Sequence, residues 1–142
     1  MHSLTLQNDN HADVAQALAG ERWVVACLCA AWCGTCGGYR ATFEQIAARN
    51  PDHVFLWIDI EDQSDVVGEL DVDNFPTLLI QRGETVAFFG TVLPDPALAE
   101  RLVASQLVHG DEELARIAAS TEERRGWQQQ ANLRALLRAA GQ

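Results

Sequence analysis

Four cysteines, Cys27, Cys29, Cys33 and Cys36, fall within ten residues of a 142-residue chain and are all the cysteine it contains. Cysteines that staple a small secreted domain are spread so as to tie distant segments together. These tie nothing distant, so the cluster reads as a local redox or metal site. Cys33 and Cys36 flank Gly34 and Thr35. That C-x-x-C spacing sets two thiols one helical turn apart on the same side, within bonding reach. One thiolate can attack a substrate disulfide, and the second can attack the resulting mixed disulfide and release the reduced substrate. The same spacing is also half of a zinc site.

The chemistry depends on what positions the pair. Residues 22–30 are a continuous apolar run with charge at its start, the pattern of a central buried strand. Trp32 and the cysteine pair follow, and then a helix to about Arg49, with Phe43, Ile46 and Ala47 as its apolar stripe and Pro51 after it. Cys33 therefore opens a helix, where unpaired N–H groups and the positive end of the helix dipole favour a thiolate.

Around this core, Leu4 and Leu6 give a weak edge strand. Asn10 is placed to cap a helix that runs to about Ala19 and stops at Gly20. Val54–Ile60 is a second buried strand, and residues 61–73 a short acidic helix and turn. Leu78–Ile80 and Thr85–Phe89 form a hairpin about Arg82-Gly83-Glu84, and Pro96 opens a helix to about Leu107. The order is (β)αβαβα and then ββα: parallel-sheet logic first, a hairpin and helix second.

The net charge is −10, with 15 acids against 5 bases in residues 1–110 and 5 of each in 111–142. All ten bases are arginine. An acidic surface repels phosphate backbones, which argues against nucleic acid as a partner. No apolar window approaches the length of a membrane span. The first residues have no basic start and no apolar h-region, so no signal peptide and a cytoplasmic setting are expected. The four histidines, His2, His11, His53 and His109, are scattered and read as surface residues. Asp59–Asp73 holds seven acids and no base, a solvated face or a means of selecting a basic partner.

Three stretches together carry a family resemblance: Ala30-Ala31-Trp32-Cys33-Gly34-Thr35-Cys36, Trp57-Ile58-Asp59-Ile60-Glu61, and Phe75-Pro76-Thr77-Leu78-Leu79. Over about residues 10–108 the chain resembles the thioredoxin family. The resemblance implies a mixed β-sheet flanked by helices and activity as a thiol–disulfide oxidoreductase without a cofactor or a metal. It implies that Cys33 is the exposed nucleophile and Cys36 the buried resolving thiol. It also implies that Pro76 is cis and faces the pair, with the backbone of Phe75 receiving extended substrate like an added strand and Trp32 beside it. Protein disulfides are the expected substrates, and a reductase or small thiol the expected electron donor.

The chain also departs from the family pattern. Thr35 stands where proline is usual beside Gly34, restoring an N–H and adding a hydroxyl. Extra donors to a thiolate predict a less negative reduction potential. Cys27 occupies the place of the family's buried acid and Trp57 that of its lysine, so resolution by Cys36 is expected to lack a carboxylate-assisted step. Gly37 and Gly38 replace the usual basic residue, either for packing or to let a partner approach.

Cys27 and Cys29 lie two apart on one strand, face one side and sit behind the active-site helix. Three readings stand for them: buried apolar thiols, a second redox relay, or part of a metal-thiolate site, although C-x-C-x3-C-x2-C is no standard zinc pattern. Residues 111–142 form a helical extension beyond the 1–110 domain. Helices are expected over about 111–119 and 122–139, and Leu133, Leu136, Leu137 and Ala140 form an apolar stripe to be buried in cis, in a dimer or against a partner. The competing functions are an accessory or chaperone module with a regulatory dithiol and a metal-thiolate carrier.

Overall fold

The alternation of apolar side chains along one strand explains the whole architecture. The computed structural model describes residues 3–70, 72 and 74–141. In β2 (Trp23–Cys29) every residue is buried. Val24, Ala26 and Leu28 enter one apolar cluster, while Trp23, Val25, Cys27 and Cys29 enter another. Successive side chains point to opposite faces, so β2 is covered on both sides and must be central.

The sheet has five strands in the order β1-β3-β2-β4-β5. β1 (Leu4–Thr5), β3 (Val54–Asp59) and β2 run parallel. β4 (Thr77–Arg82) pairs antiparallel with β2 and with β5 (Thr85–Thr91). The parallel half and the hairpin half are those expected, and the fold is the expected mixed sheet flanked by helices. Gly83, with φ 60°, supplies the left-handed residue of the hairpin turn.

One face is covered by α1 (His11–Leu18), α3 (Ser64–Val67) and α7 (Leu133–Ala140), through Val14, Leu18, Val66, Val67, Leu133 and Leu137. The other is covered by α2 (Gly34–Arg49), α4 (Pro96–Leu107) and Leu114 of α5 (Asp111–Ala118). The Asp95 side chain accepts from the Ala97 N–H and caps α4, with Pro96 in its first turn. Asn10 does not cap α1 through its side chain. Its amide instead donates to the Thr5 carbonyl and accepts from the Gln7 N–H, holding the turn before the helix.

The extension holds three helices rather than the two expected, because the stretch 122–139 is broken into α6 (Glu122–Gln130) and α7. Asn132 makes the break: its side chain accepts from the Ala135 N–H and caps α7. Buried Gln81 of β4 completes it, accepting from the Leu133 N–H at 2.8 Å and donating to the Asn132 Oδ1 at 2.8 Å. The apolar stripe is buried within the chain, with Leu133 and Leu137 in the core cluster against α1 and α3. On the outer strand, the Gln128 side chain pairs with both backbone groups of Val86, at 2.7 and 2.8 Å, as a neighbouring strand would.

Three histidines prove half-buried rather than free on the surface. His11 bonds Gln63, His53 accepts from the Trp23 N–H, and His109 pairs with Glu113. His2, and Asp71 and Asp73 of the acidic stretch, lie outside the described residues.

Candidate active site

β2 ends at Cys29 and the chain turns through Ala30–Trp32 before α2 begins. Asp59, at the end of β3, fixes this turn: its carboxylate accepts from the Ala31 N–H at 2.9 Å and from the N–H groups of Glu61 and Asp62. The Cys29 carbonyl accepts from the Ile60 N–H at 2.9 Å. Asp59 is thus a positioning residue within a stretch that composition alone presents as a solvated acidic face.

Cys33 is the N-cap of α2, with extended backbone, and its N–H donates to the Ala30 carbonyl. It is partly exposed, whereas Cys36 is buried. Gly34 and Thr35 are exposed between them. A Cβ built on Gly37 or Gly38 meets nothing within 4 Å, so packing does not require glycine at either position. The outer surface of the first turn is open.

The Phe75–Pro76 peptide is cis. The Trp32 and Phe75 rings meet edge to face at 5.6 Å, which joins the loop before the cysteines to the loop before β4. Trp32 is 71% exposed. Phe75 is partly buried and Pro76 fully so. The Phe75 N–H donates to the side chain of Asn74 at 2.9 Å, so an incoming strand that used this donor would have to displace that bond. The expected substrate-facing residues Trp32, Phe75 and the two cysteines therefore gather at one end of the sheet.

Beneath α2 the arrangement departs from a two-cysteine site. Cys36 is disulfide-bonded to Cys29, with 5.8 Å between their Cα atoms, and Cys33 is free. The bond thus lies between strand and helix, not within the C-x-x-C loop. Cys27 is the other free thiol, its sulfur 4.0 Å from that of Cys29. Burial pushes the Cys27 thiol well above its ordinary pKa, an effect partly offset by the Arg40 cation. Tyr39 is buried beside these sulfurs with its hydroxyl unpartnered, and its pKa is raised by burial and by Cys27.

Cys27 and Trp57 are direct partners across the β2–β3 ladder. The Arg40 guanidinium lies 4.6 Å from the centre of the Trp57 ring, so a cation reaches this position from α2 rather than from β3. Sequence reasoning placed Cys27 and Cys29 on the correct face but did not anticipate the Cys29–Cys36 bond or Arg40. Among the described residues, no group of three or more His, Cys, Asp or Glu is arranged to hold a metal ion. Nor is any described helix long and apolar enough to cross a membrane.

A family profile described as Thioredoxin matches residues 2–103. The chain belongs to the thioredoxin family. It is 32% identical over 99 residues to a putative thioredoxin 2 of Streptomyces coelicolor, covering 68% of this chain and 73% of the relative. It is 30% identical over 104 residues to thioredoxin-2 of Saccharomyces cerevisiae, covering 72% of this chain and 96% of the relative. Among solved structures, thioredoxin f2 in a complex with ferredoxin:thioredoxin reductase superposes with a TM-score of 0.62 and 21% identity, over 72% of this chain and 93% of that one. With thioredoxin relatives and a cysteine pair bonded between the end of β2 and the first turn of α2, the protein is a thiol–disulfide oxidoreductase.

Proposed function

We propose that the protein acts on protein disulfides, with Cys33 as the attacking thiol and Cys36 as the resolving thiol. The observation that carries this reading is their difference in exposure. Cys33 stands free and partly exposed at the N-terminus of a 16-residue helix, while Cys36 lies buried one turn below it. The Cys33 thiolate attacks one sulfur of the substrate disulfide and expels the other as a thiolate. The Cys36 thiolate then attacks the Cys33 sulfur, closes Cys33–Cys36 and releases the second substrate sulfur. Gly34 and Thr35 form the first turn of α2 between the two thiols and leave its surface open to a substrate. The surface at exposed Trp32 and half-buried Phe75, beside the buried cis-Pro76, receives the substrate chain, and Cys27 supports the pair from β2.

The dithiol state is restored by a reductase or a small thiol; the complex of thioredoxin f2 with its reductase is the structural parallel. A reducing compartment such as the cytoplasm suits a chain whose cysteines cluster instead of stapling the fold. Residues 1–110 form the exchanging domain in this reading, and 111–142 a helical brace on it. The test is catalysis of insulin reduction by dithiothreitol, together with a Cys36→Ser variant used as a trap. The wild type should exceed the background rate, and the variant should retain substrates as mixed disulfides through Cys33. A folded wild type with no rate above background would sink the reading.

A further inference from the structure

The bond from Cys36 to Cys29 leaves the proposed nucleophile unoccupied while the domain is oxidised. Cys36 is buried on the first turn of α2, with Cys29 below it at the end of β2 and Cys33 one turn before it toward the surface. Its sulfur is thus shared between two possible partners, one on the surface and one in the core. Cys29 is 1% exposed and no external disulfide reaches it. An oxidising equivalent that arrives there must come through Cys36.

We propose that Cys29 is a third catalytic thiol, which takes over the disulfide from Cys33 and stores it beneath α2. The step follows the closure of Cys33–Cys36 by substrate and rests on the exchange proposed for those two residues. The Cys29 sulfur attacks Cys36 Sγ; the Cys29–Cys36 bond forms and the Cys33–Cys36 bond breaks. Cys33 leaves as a thiolate, and the proton lost by Cys29 is balanced by the one Cys33 takes up. One disulfide is consumed and one is made, so no further oxidant is needed; the substrate supplied the equivalent. In the opposite direction Cys33 attacks Cys36, returns the disulfide to the surface and exposes it to the reductant.

The consequence is an oxidised enzyme that still presents a nucleophile. In a two-cysteine site, oxidation closes the exposed thiol. Here Cys33 stays free to engage a second substrate disulfide, but its resolving partner is occupied, so that second complex persists as a mixed disulfide until Cys36 is returned. Cys27, with its sulfur 4.0 Å from Cys29, keeps the surroundings of the stored bond apolar and thiol-lined.

The pairing can be read directly in the full-length wild-type protein. With no lysine and with Arg22 and Arg40 as the flanking arginines, trypsin leaves all four cysteines on one peptide. Chymotrypsin, cutting after Leu28 and Trp32, separates Cys29 from the segment holding Cys33 and Cys36. The reduced protein is oxidised with insulin or with glutathione disulfide, quenched in acid at intervals, alkylated after denaturation and mapped by mass spectrometry. The expected end state is the 29–32 peptide linked through Cys36 to the 33–39 peptide, with Cys33 alkylated, preceded in time by a Cys33–Cys36 link. A final state with Cys33–Cys36 closed and Cys29 alkylated, or any pairing other than Cys29–Cys36, overturns the proposal.

Two variants test the route. Cys29→Ser should accumulate Cys33–Cys36 and lose the alkylation of Cys33 in the oxidised state. Cys33→Ser should form Cys29–Cys36 about tenfold more slowly or worse, because oxidation enters through the exposed thiol. Equal rates in wild type and Cys33→Ser would overturn the order of transfer. Insulin reduction with the wrong pairing removes only the role of Cys29. The Cys29–Cys36 bond without insulin reduction removes the exchange reading itself.

Discussion

The two ends of β4 are held by contrasting chemistry. At its start, Thr77 lies opposite Leu28, next to the cis-proline, the Trp32–Phe75 ring pair and the cysteine cluster. At its far end, Gln81 lies opposite Val24, and its amide reaches Leu133, Asn132 and the Gly83 carbonyl. Glu84 in the adjoining turn faces Arg134, Arg138 and Asn132. One end is built from thiols whose bonds can be exchanged and leaves the free Cys33 thiol partly exposed. The other is built from amides and charges whose hydrogen bonds fix one docking of α7. A buried amide costs free energy unless it is paired, so a satisfied Gln81 selects this docking over slipped ones. Reactivity and fastening are thus kept at opposite ends of the same strand.

If the separation is real, substitutions at the two ends should move different readouts. Cys33→Ser should bring insulin reduction down to the uncatalysed rate while the thermal midpoint stays close to that of the wild type; retained turnover would show that another thiol attacks. At the fastening end, Leu133→Ala removes a fully buried side chain and should cost about 2–5 kcal/mol in denaturant unfolding. Its activity per folded molecule should be retained, and a parallel fall in activity would show that the two ends are coupled. Gln81→Ala leaves the Leu133 N–H and the Gly83 carbonyl without their partner and should cost about 1–3 kcal/mol.

Much of the reactive end was legible in the sequence, and little of the fastening end was. The buried strand, the C-x-x-C at a helix start and the X-Pro-Thr before a strand are local patterns, and each names its own role. The common face of Cys27 and Cys29 followed from the period of a strand. The bond partner of Cys36 did not, because C-x-x-C spacing offers Cys33 first, and only the path of Ala30–Trp32 decides how closely Cys29 lies under the helix. Likewise Gln81 appears in the sequence as one polar residue at a strand end. That it breaks a helix 51 residues later, by meeting Asn132, is a tertiary event with no local trace. Asp59 is similar: as one of a run of acids it reads as solvated surface, yet it holds the Ala31 N–H two residues before Cys33.

The smallest predicted effect tests the fastening end by its charge. Hydrogen bonds from Arg138 and then Asn132, with further help from Arg134, hold the Glu84 carboxyl at a pKa of about 2. An unfolded glutamate titrates near 4.3. The folded state therefore binds the proton less tightly than the unfolded one. The contribution of ionised Glu84 to stability is present in full above about pH 4.5 and is lost as the pH falls toward 2. Its side chain is 51% exposed, so water and salt screen most of the attraction. Glu84→Gln should lower the thermal midpoint at pH 6 by about two degrees or less, and the gap between variant and wild type should close as both are melted at successively lower pH. A gap that stays constant from pH 6 to pH 2 would mean that Glu84 holds α7 by shape and neutral hydrogen bonding, and that the arginines on α7 contribute nothing through their charge.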